Sequence, residues 1–399
     1  MRETDVAIIG GGLAGSTGAA MLGRAGIATT LIDPHTVYPA DFRCEKLDPS
    51  QIAALRRTGL AETILSKGTI DKRIWVVRGG RVVDRKPHTQ CNILYDTMVN
   101  AMRAEIPPGV ETVIGKVNAV ATSDDRQTLT LSTGDTLSAR LMVFASGLNI
   151  GLRHTIGIGR EVISANHSIS LGFDLAPAEG GSFAFEALTY FSERAADRMA
   201  YLTLFPIGTT MRANLFVYRE MTDPWIEGFR GAPEDSLVQL MPRLRHVIGD
   251  FKVTSFVKIR PVDLVVTTGH QQAGVVLVGD AFATSCPAAG TGTNKVFTDI
   301  GQLCNVHIPR WLETPGMGKD KIEAFYADPV KVAADAFSHD KAFSLKAIST
   351  EPGLIWNARR QGKFYGHLAM GTLRKLREGR AKPESGGVPP AGVGQGAGL

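Results

Sequence analysis

The chain has 399 residues, 44% of them hydrophobic, with 44 Lys and Arg against 39 Asp and Glu and a formal net charge of +5. That length and apolar content allow two or three domains around a sizeable core, while the small charge excess gives no support to nucleic-acid binding and suits an anionic small molecule equally well. Four cysteines, Cys44, Cys91, Cys286 and Cys304, form no CxxC pair and no zinc-type spacing with histidine, so no metal site is expected and a reducing cytoplasm is the natural location.

The N-terminal "MRETD" runs directly into a strand pattern, with no room for a secretory leader, and no apolar run approaches the roughly 18 residues of a membrane-spanning helix. "DVAIIGGGLAGSTGAAMLGRAGIATTLID" reads as strand, glycine-rich turn, small-residue helix and second strand, the βαβ unit of a doubly wound sheet. Gly10, Gly12 and Gly15 form GxGxxG in that setting, with Leu13 and Ala14 inside it. The first glycine permits the turn, the second lets a pyrophosphate approach the backbone, and the third lets helix and strand pack closely. Asp33, at the end of the second strand, is spaced to accept hydrogen bonds from a ribose diol.

"KRIWVVRGGRVVDRK" alternates around Gly79-Gly80 and predicts a hairpin. "ILYDTMVNAMRAE" is helical, and the stretch from Thr112 to Gly147 is a series of strands ending on a buried one. From Asn166 to Val262 strand signals are dense, as in "HSISLGFDL" and "YLTLFPIGTTMRANLFVY". "VVLVGDAFATSCPAAGTGTN" then breaks from a buried strand into a small-sided loop, with Gly279 and Asp280 at the break, Gly290 and Gly292 before the next helix, and room for a ligand. Asp280 is placed to hold polyol hydroxyls. A second helix start aimed at a second part of one ligand implies a long cofactor with polar groups at both ends.

These two motifs, in this order, resemble the class A flavoprotein monooxygenases, the family of para-hydroxybenzoate hydroxylase, whose late motif reads approximately GDAAHxxxPxxGxGxN. The resemblance covers most of the first 305 residues and implies FAD as cofactor. It implies a Rossmann-type FAD-binding domain of α/β class with three layers, discontinuous over 1–72, 92–165 and 262–310. A β-rich substrate domain over 73–91 and 166–261 interrupts it, followed by a C-terminal helical region over 311–381 and a disordered tail over 382–399. On the same resemblance Asp280 binds the ribityl chain, Pro287 lies near the isoalloxazine, and Gly290, Gly292, Thr293 and Asn294 cradle the pyrimidine edge. Arg43, in "FRCEKLDPSQIAALRRTGL", reaches the pyrophosphate, Asn92 faces the flavin chain, and Val117 touches the adenine.

The implied activity is NAD(P)H-driven monooxygenation, hydroxylating or epoxidising a small aromatic or alkene substrate with molecular oxygen through a flavin C4a-hydroperoxide. Tyr190, Phe205, Pro206, Arg212 and Lys295 are the candidates for the substrate pocket; no catalytic acid or base stands out, and His167 lacks a visible partner. "FASGLNIGLR" keeps Ala145, Gly147 and Arg153 of the family's ADGxxSxxR motif but carries Ser146 for its Asp. That departure leaves three alternatives open: a flavin-dependent reductase of a prenyl or other apolar substrate, a halogenase, and a flavin-bound protein without turnover. The basic stretch "RRQGKFYGHLAMGTLRKLREGR" reads as a solvated helix face, with peripheral contact to an anionic membrane as the other reading.

Overall fold

The computed structural model describes residues 2–192 and 194–380. The expected tail, 382–399, lies outside them.

The first strand, Arg2–Ile9, starts polar and turns apolar and buried over its second half, Val6 to Ile9, as a strand covered on both faces must be. It pairs in parallel with Thr29–Asp33 on one side, Val6 opposite Thr29, and with Thr136–Phe144 on the other, Val6 opposite Leu141. Glu111–Ile114 extends the sheet beyond Thr29–Asp33. The far edge of Thr136–Phe144 is shared: Gln127–Leu131 runs antiparallel along its first half, and Val275–Leu277 runs parallel along residues 142–144. Val117–Ala121 completes seven strands. Five parallel strands therefore end together at Ile9, Asp33, Ile114, Phe144 and Leu277, and the carboxyl ends of such strands are where an open α/β sheet holds its ligand.

The second sheet has nine strands and takes the rest of the β structure. Its centre is Gly159–Pro177, Thr210–Val217, Met199–Ile207 and Ala187–Phe191, antiparallel neighbours in that order. Thr69–Arg78 then joins Ala187–Phe191 in parallel and folds back as Arg81–Asn92. The turn between these two is Gly79 and Gly80, both left-handed at φ +55° and +67°, as a two-residue hairpin of primed type requires.

Side chains alternate between the two faces of this sheet. Leu188, Tyr190, Leu202, Leu204, Leu215 and Val217 point to one face and form a core with Phe229, Leu237 and Leu244 of three short helices. Thr189, Phe191, Tyr201, Asn214 and Phe216 point to the other, toward the first sheet. The chain closes with helices Lys319–Tyr326, Pro329–Thr350 and Leu354–Arg380. The last lies on the Thr69–Asn92 hairpin so closely that a Cβ on Gly371 would come within 2.2 Å of the Val83 carbonyl oxygen. Among the described residues no helix is long and apolar enough to cross a membrane.

Candidate cofactor and substrate site

The glycine turn is shaped by close approach. Gly10 has φ +104°, and a Cβ there would sit 2.7 Å from the Ala145 carbonyl oxygen; one on Gly15 would sit 1.8 Å from that of Gly10. Gly12 differs: a Cβ there would meet nothing nearer than Tyr38 at 3.9 Å, so its backbone opens toward the cavity. The Asp33 carboxylate holds the turn from behind, accepting from the Gly11 N–H at 2.7 Å and the His35 N–H at 2.9 Å. Arg103, on helix Tyr95–Ala104, pairs with Asp33 at 2.9 Å and donates its Nε–H to the Gly11 carbonyl at 2.9 Å. No sequence signal points to Arg103, which lies 70 residues from Asp33 on an amphipathic helix of ordinary appearance.

The late loop is fixed by three polar clamps. Gly279 turns the chain at φ +59°, and Asp280 accepts from Arg43 Nη1 at 2.8 Å, while Arg43 Nε–H reaches Asp41 at 2.5 Å. Arg153, fully buried, donates to the Ala281 carbonyl and so ties the "FASGLNIGLR" segment to this loop. Gln51 donates to the Gly290 carbonyl at 3.0 Å and to Thr293 Oγ at 3.2 Å. Gln51 escaped the sequence reading, yet a signal was there: "DPSQ" is a capping box, with Asp48 accepting from the Gln51 N–H at 2.9 Å and Gln51 accepting from the Asp48 N–H at 2.7 Å. Gly290 is left-handed at φ +64° with nothing within 4 Å of a Cβ, so its backbone too faces open space.

Between these loops and the second sheet lies a cavity of about 1120 Å³, above the roughly 300–1,000 Å³ of a ligand pocket for one small molecule. Gly10, Gly12, Leu13, Ala14, Asp33, Arg43, Val117, Gly279, Asp280, Pro287, Gly290, Gly292 and Thr293 all line it. Gly15 stands behind them against Gly10, and Asn294 turns aside to donate to Ser50 at 3.1 Å. Asn92 is fully buried away from the cavity, donating to Asp71 at 2.6 Å. An extended dinucleotide fits this lining: two glycine backbones open toward it where phosphates and a ring edge need N–H donors, and two carboxylates stand where sugar or polyol hydroxyls need acceptors.

The cavity continues past Pro287 into a chamber walled by Ile74, Val76, Thr189, Phe191, Tyr201, Asn214 and Phe216. None of the five residues expected at the substrate is among its lining. Tyr190 points to the opposite face of its strand, and Phe205 is fully buried in a small cluster with Ile74 and Ala187. Pro206 lies beside it, beyond the chamber, paired with Met211 across the strands. Arg212 is held by Asp174 at 3.0 Å and Glu45 at 3.3 Å. Lys295 is buried and paired with Asp335. His167 is also packed away, its Nδ1 3.0 Å from Ser164 Oγ and its ring against Tyr218 and Phe343.

Behind the late loop sits a charge network in which Lys331 and Asp299 are fully buried and Asp335 partly so. Lys331 Nζ lies 3.1 Å from Asp299 and 3.0 Å from Asp335, over the Phe282 ring at 4.0 Å. Burial pushes the Asp299 carboxyl up, against the pull of Lys331 and Lys295. At the chamber's outer wall His88 is held below the usual histidine range by burial and then by Lys86.

Residues 3–306 match the model of a family described as the FAD binding domain. The chain belongs to that family. It is an FAD-dependent monooxygenase of class A, as the first motifs implied, and the three-layer fold with C-terminal helices is the expected one. It is 24% identical over 318 residues to the 3-amino-4-hydroxybenzoate 2-monooxygenase of Streptomyces platensis, covering 75% of this chain and 78% of that protein. With the 3-demethoxyubiquinol 3-hydroxylase of Escherichia coli (strain K12) it shares 24% over 331 residues, 76% of this chain and 80% of the other. The crystal structure of p-nitrophenol 4-monooxygenase from Pseudomonas putida DLL-E4 superposes with a TM-score of 0.74 at 18% identity, over 95% of this chain and 97% of that one. This monooxygenase thus shares its fold along nearly its whole length with a solved flavoenzyme.

Proposed function

We propose that this monooxygenase takes its electrons from NADH or NADPH and hydroxylates or epoxidises a small aromatic or alkene substrate held in the chamber beyond Pro287. The observation that carries the reading is the continuity of one cavity, from glycine backbones at one end to a mainly aromatic and aliphatic wall at the other. Two of the relatives named above are, by their names, an aminohydroxybenzoate monooxygenase and a demethoxyubiquinol hydroxylase, whose substrate rings are rich in electrons.

Gly10, Gly12 and Arg43 would hold the pyrophosphate, Asp33 the ribose, Asp280 the ribityl hydroxyls, and Gly290 to Thr293 the pyrimidine edge. When bound and reduced, the flavin activates molecular oxygen, one atom of which enters the substrate while the other leaves as water. The protein's part is to orient and to keep water out. Phe191 and Phe216 offer flat apolar contact to a ring. Tyr201, whose hydroxyl donates to the Ala288 carbonyl, fixes the loop that carries Pro287. The positive end of the helix beginning at Gly292 faces the cavity and would stabilise the negative charge that reduction places on a bound flavin ring.

Anaerobic mixing with NADH and with NADPH, across a panel of phenols and alkenes, tests this reading by the bleaching of the oxidised flavin band. Reduction accelerated by one compound class, followed by incorporation of label from ¹⁸O₂ into that compound, is the expected result. Product without label would overturn it in favour of a reductase. No bleaching by either nucleotide would overturn the direct use of NAD(P)H.

A further inference from the structure

The C-terminal helix, Leu354–Arg380, turns an apolar face to solvent. Leu354, Tyr365 and Leu376 recur every 11 residues, which is close to three helical turns and so one straight stripe. They are 87%, 63% and 60% exposed. Ile355 and Leu373, five turns apart, are exposed alongside them. The opposite face is the one seated on the protein: Phe364 approaches Gly79, Gly371 touches the Val83 backbone, and Arg374 reaches toward Asp84 at 3.8 Å. Large apolar side chains collected on the outer face of a surface helix need a partner.

Charge decides which partner. Residues 354–380 hold seven Lys and Arg against one Glu. A second copy laid on this face would bring two strongly cationic helices together, and like charges juxtaposed at an interface cost several kcal/mol. An anionic lipid surface meets both properties at once, taking the leucines into the acyl boundary while the cations other than Arg374, which faces Asp84, supply attraction to the head groups. We propose that this helix seats the protein on the surface of an anionic membrane, lying in its plane. His367, on the same helix, lines the cavity, so the seated surface adjoins the wall of the substrate chamber.

The test is flotation of the full-length, FAD-loaded protein with vesicles of phosphatidylcholine alone and of phosphatidylcholine mixed with phosphatidylglycerol. Co-flotation with the mixed vesicles, weak with the neutral ones and reduced by raised salt, is expected. Leu373→Glu/Leu376→Glu should lower the vesicle partition coefficient by about tenfold or more, with FAD content and melting temperature unchanged. Leu354→Glu, at the exposed first turn, is the second variant should the double one misfold, and it should weaken binding in the same direction. Failure to float with the mixed vesicles would overturn the proposal, as would variants that float like the parent. So would a dimer in solution that the leucine variants dissociate, which would make a second copy the occupant.

Discussion

The two ends of the cavity are built from different materials. The end near the first sheet is made by backbone: glycines whose missing side chains let chain approach chain, and helix starts with free N–H groups. The chamber beyond Pro287 is made by side chains from four strands, each contributing one or two groups. Backbone constraints tolerate almost no alternative residue, so they leave a sharp trace in sequence. A side-chain wall can be built from many residues, provided each strand keeps its alternation.

The comparison is broken most severely at Gly15. Gly15→Val places carbon inside the Gly10 carbonyl, and loss of FAD retention through purification, or of soluble protein, is expected; a variant that binds FAD like the parent would remove the backbone account. Next is the buried network behind the late loop. Lys331→Met removes the ammonium in direct contact with fully buried Asp299 and should cost about 3–5 kcal/mol in urea unfolding, most of it recovered when Asp299→Leu is added. An unchanged urea midpoint would show that the network does not stabilise the loop.

A smaller effect comes from His167, which burial holds down to about 4. In the unfolded chain a histidine takes its proton near pH 6.5, so the unfolded state gains protons first as pH falls. The parent should therefore lose up to roughly 3 kcal/mol between about pH 6.5 and pH 4, and nothing further from this group below that. Melting curves of His167→Gln across that window should fall less steeply, and parallel curves would exclude the assignment. The smallest effect sharpens the substrate end: Phe191→Ala should lower kcat/KM about tenfold, the loss of roughly 1.4 kcal/mol of apolar contact. Tyr190→Phe, one residue away on the other face, should leave kcat/KM within about twofold and show itself only in stability.

These pairs also explain what was legible. Gly10, Gly12 and Asp33 line the cavity where the spacing of the glycine fingerprint placed them, and Arg43, Asp280, Gly290 and Gly292 line it where the resemblance placed them. Tyr190 could not be distinguished from Thr189 and Phe191, since a strand flanked by two apolar faces gives no parity signal and a shift of one residue reverses the face. Arg212 and Lys295 were chosen as cations in suggestive places, but each had an acidic partner far away in sequence, Glu45 and Asp335, that only the fold brings near. Asn92 was assigned through the resemblance, and its amide is taken by Asp71 instead. The outer face of the last helix read as solvated because its cations dominate the composition; which side it presents depends on how Gly371 docks.

The placement of Val275–Leu277 has a consequence for how the molecule is made. This strand pairs with residues 142–144, so the first sheet, begun at Arg2, is completed only after some of the longest-range contacts in the chain have formed. Strands of the second sheet are interleaved before it, at 46–47, 69–92 and 159–268. The first sheet cannot finish during synthesis until the ribosome has passed that strand, and non-local pairing of this kind folds slowly. A nascent chain stopped before Val275 would present the open edge of Thr136–Phe144 and an unformed cavity, making it a substrate for chaperones and proteases.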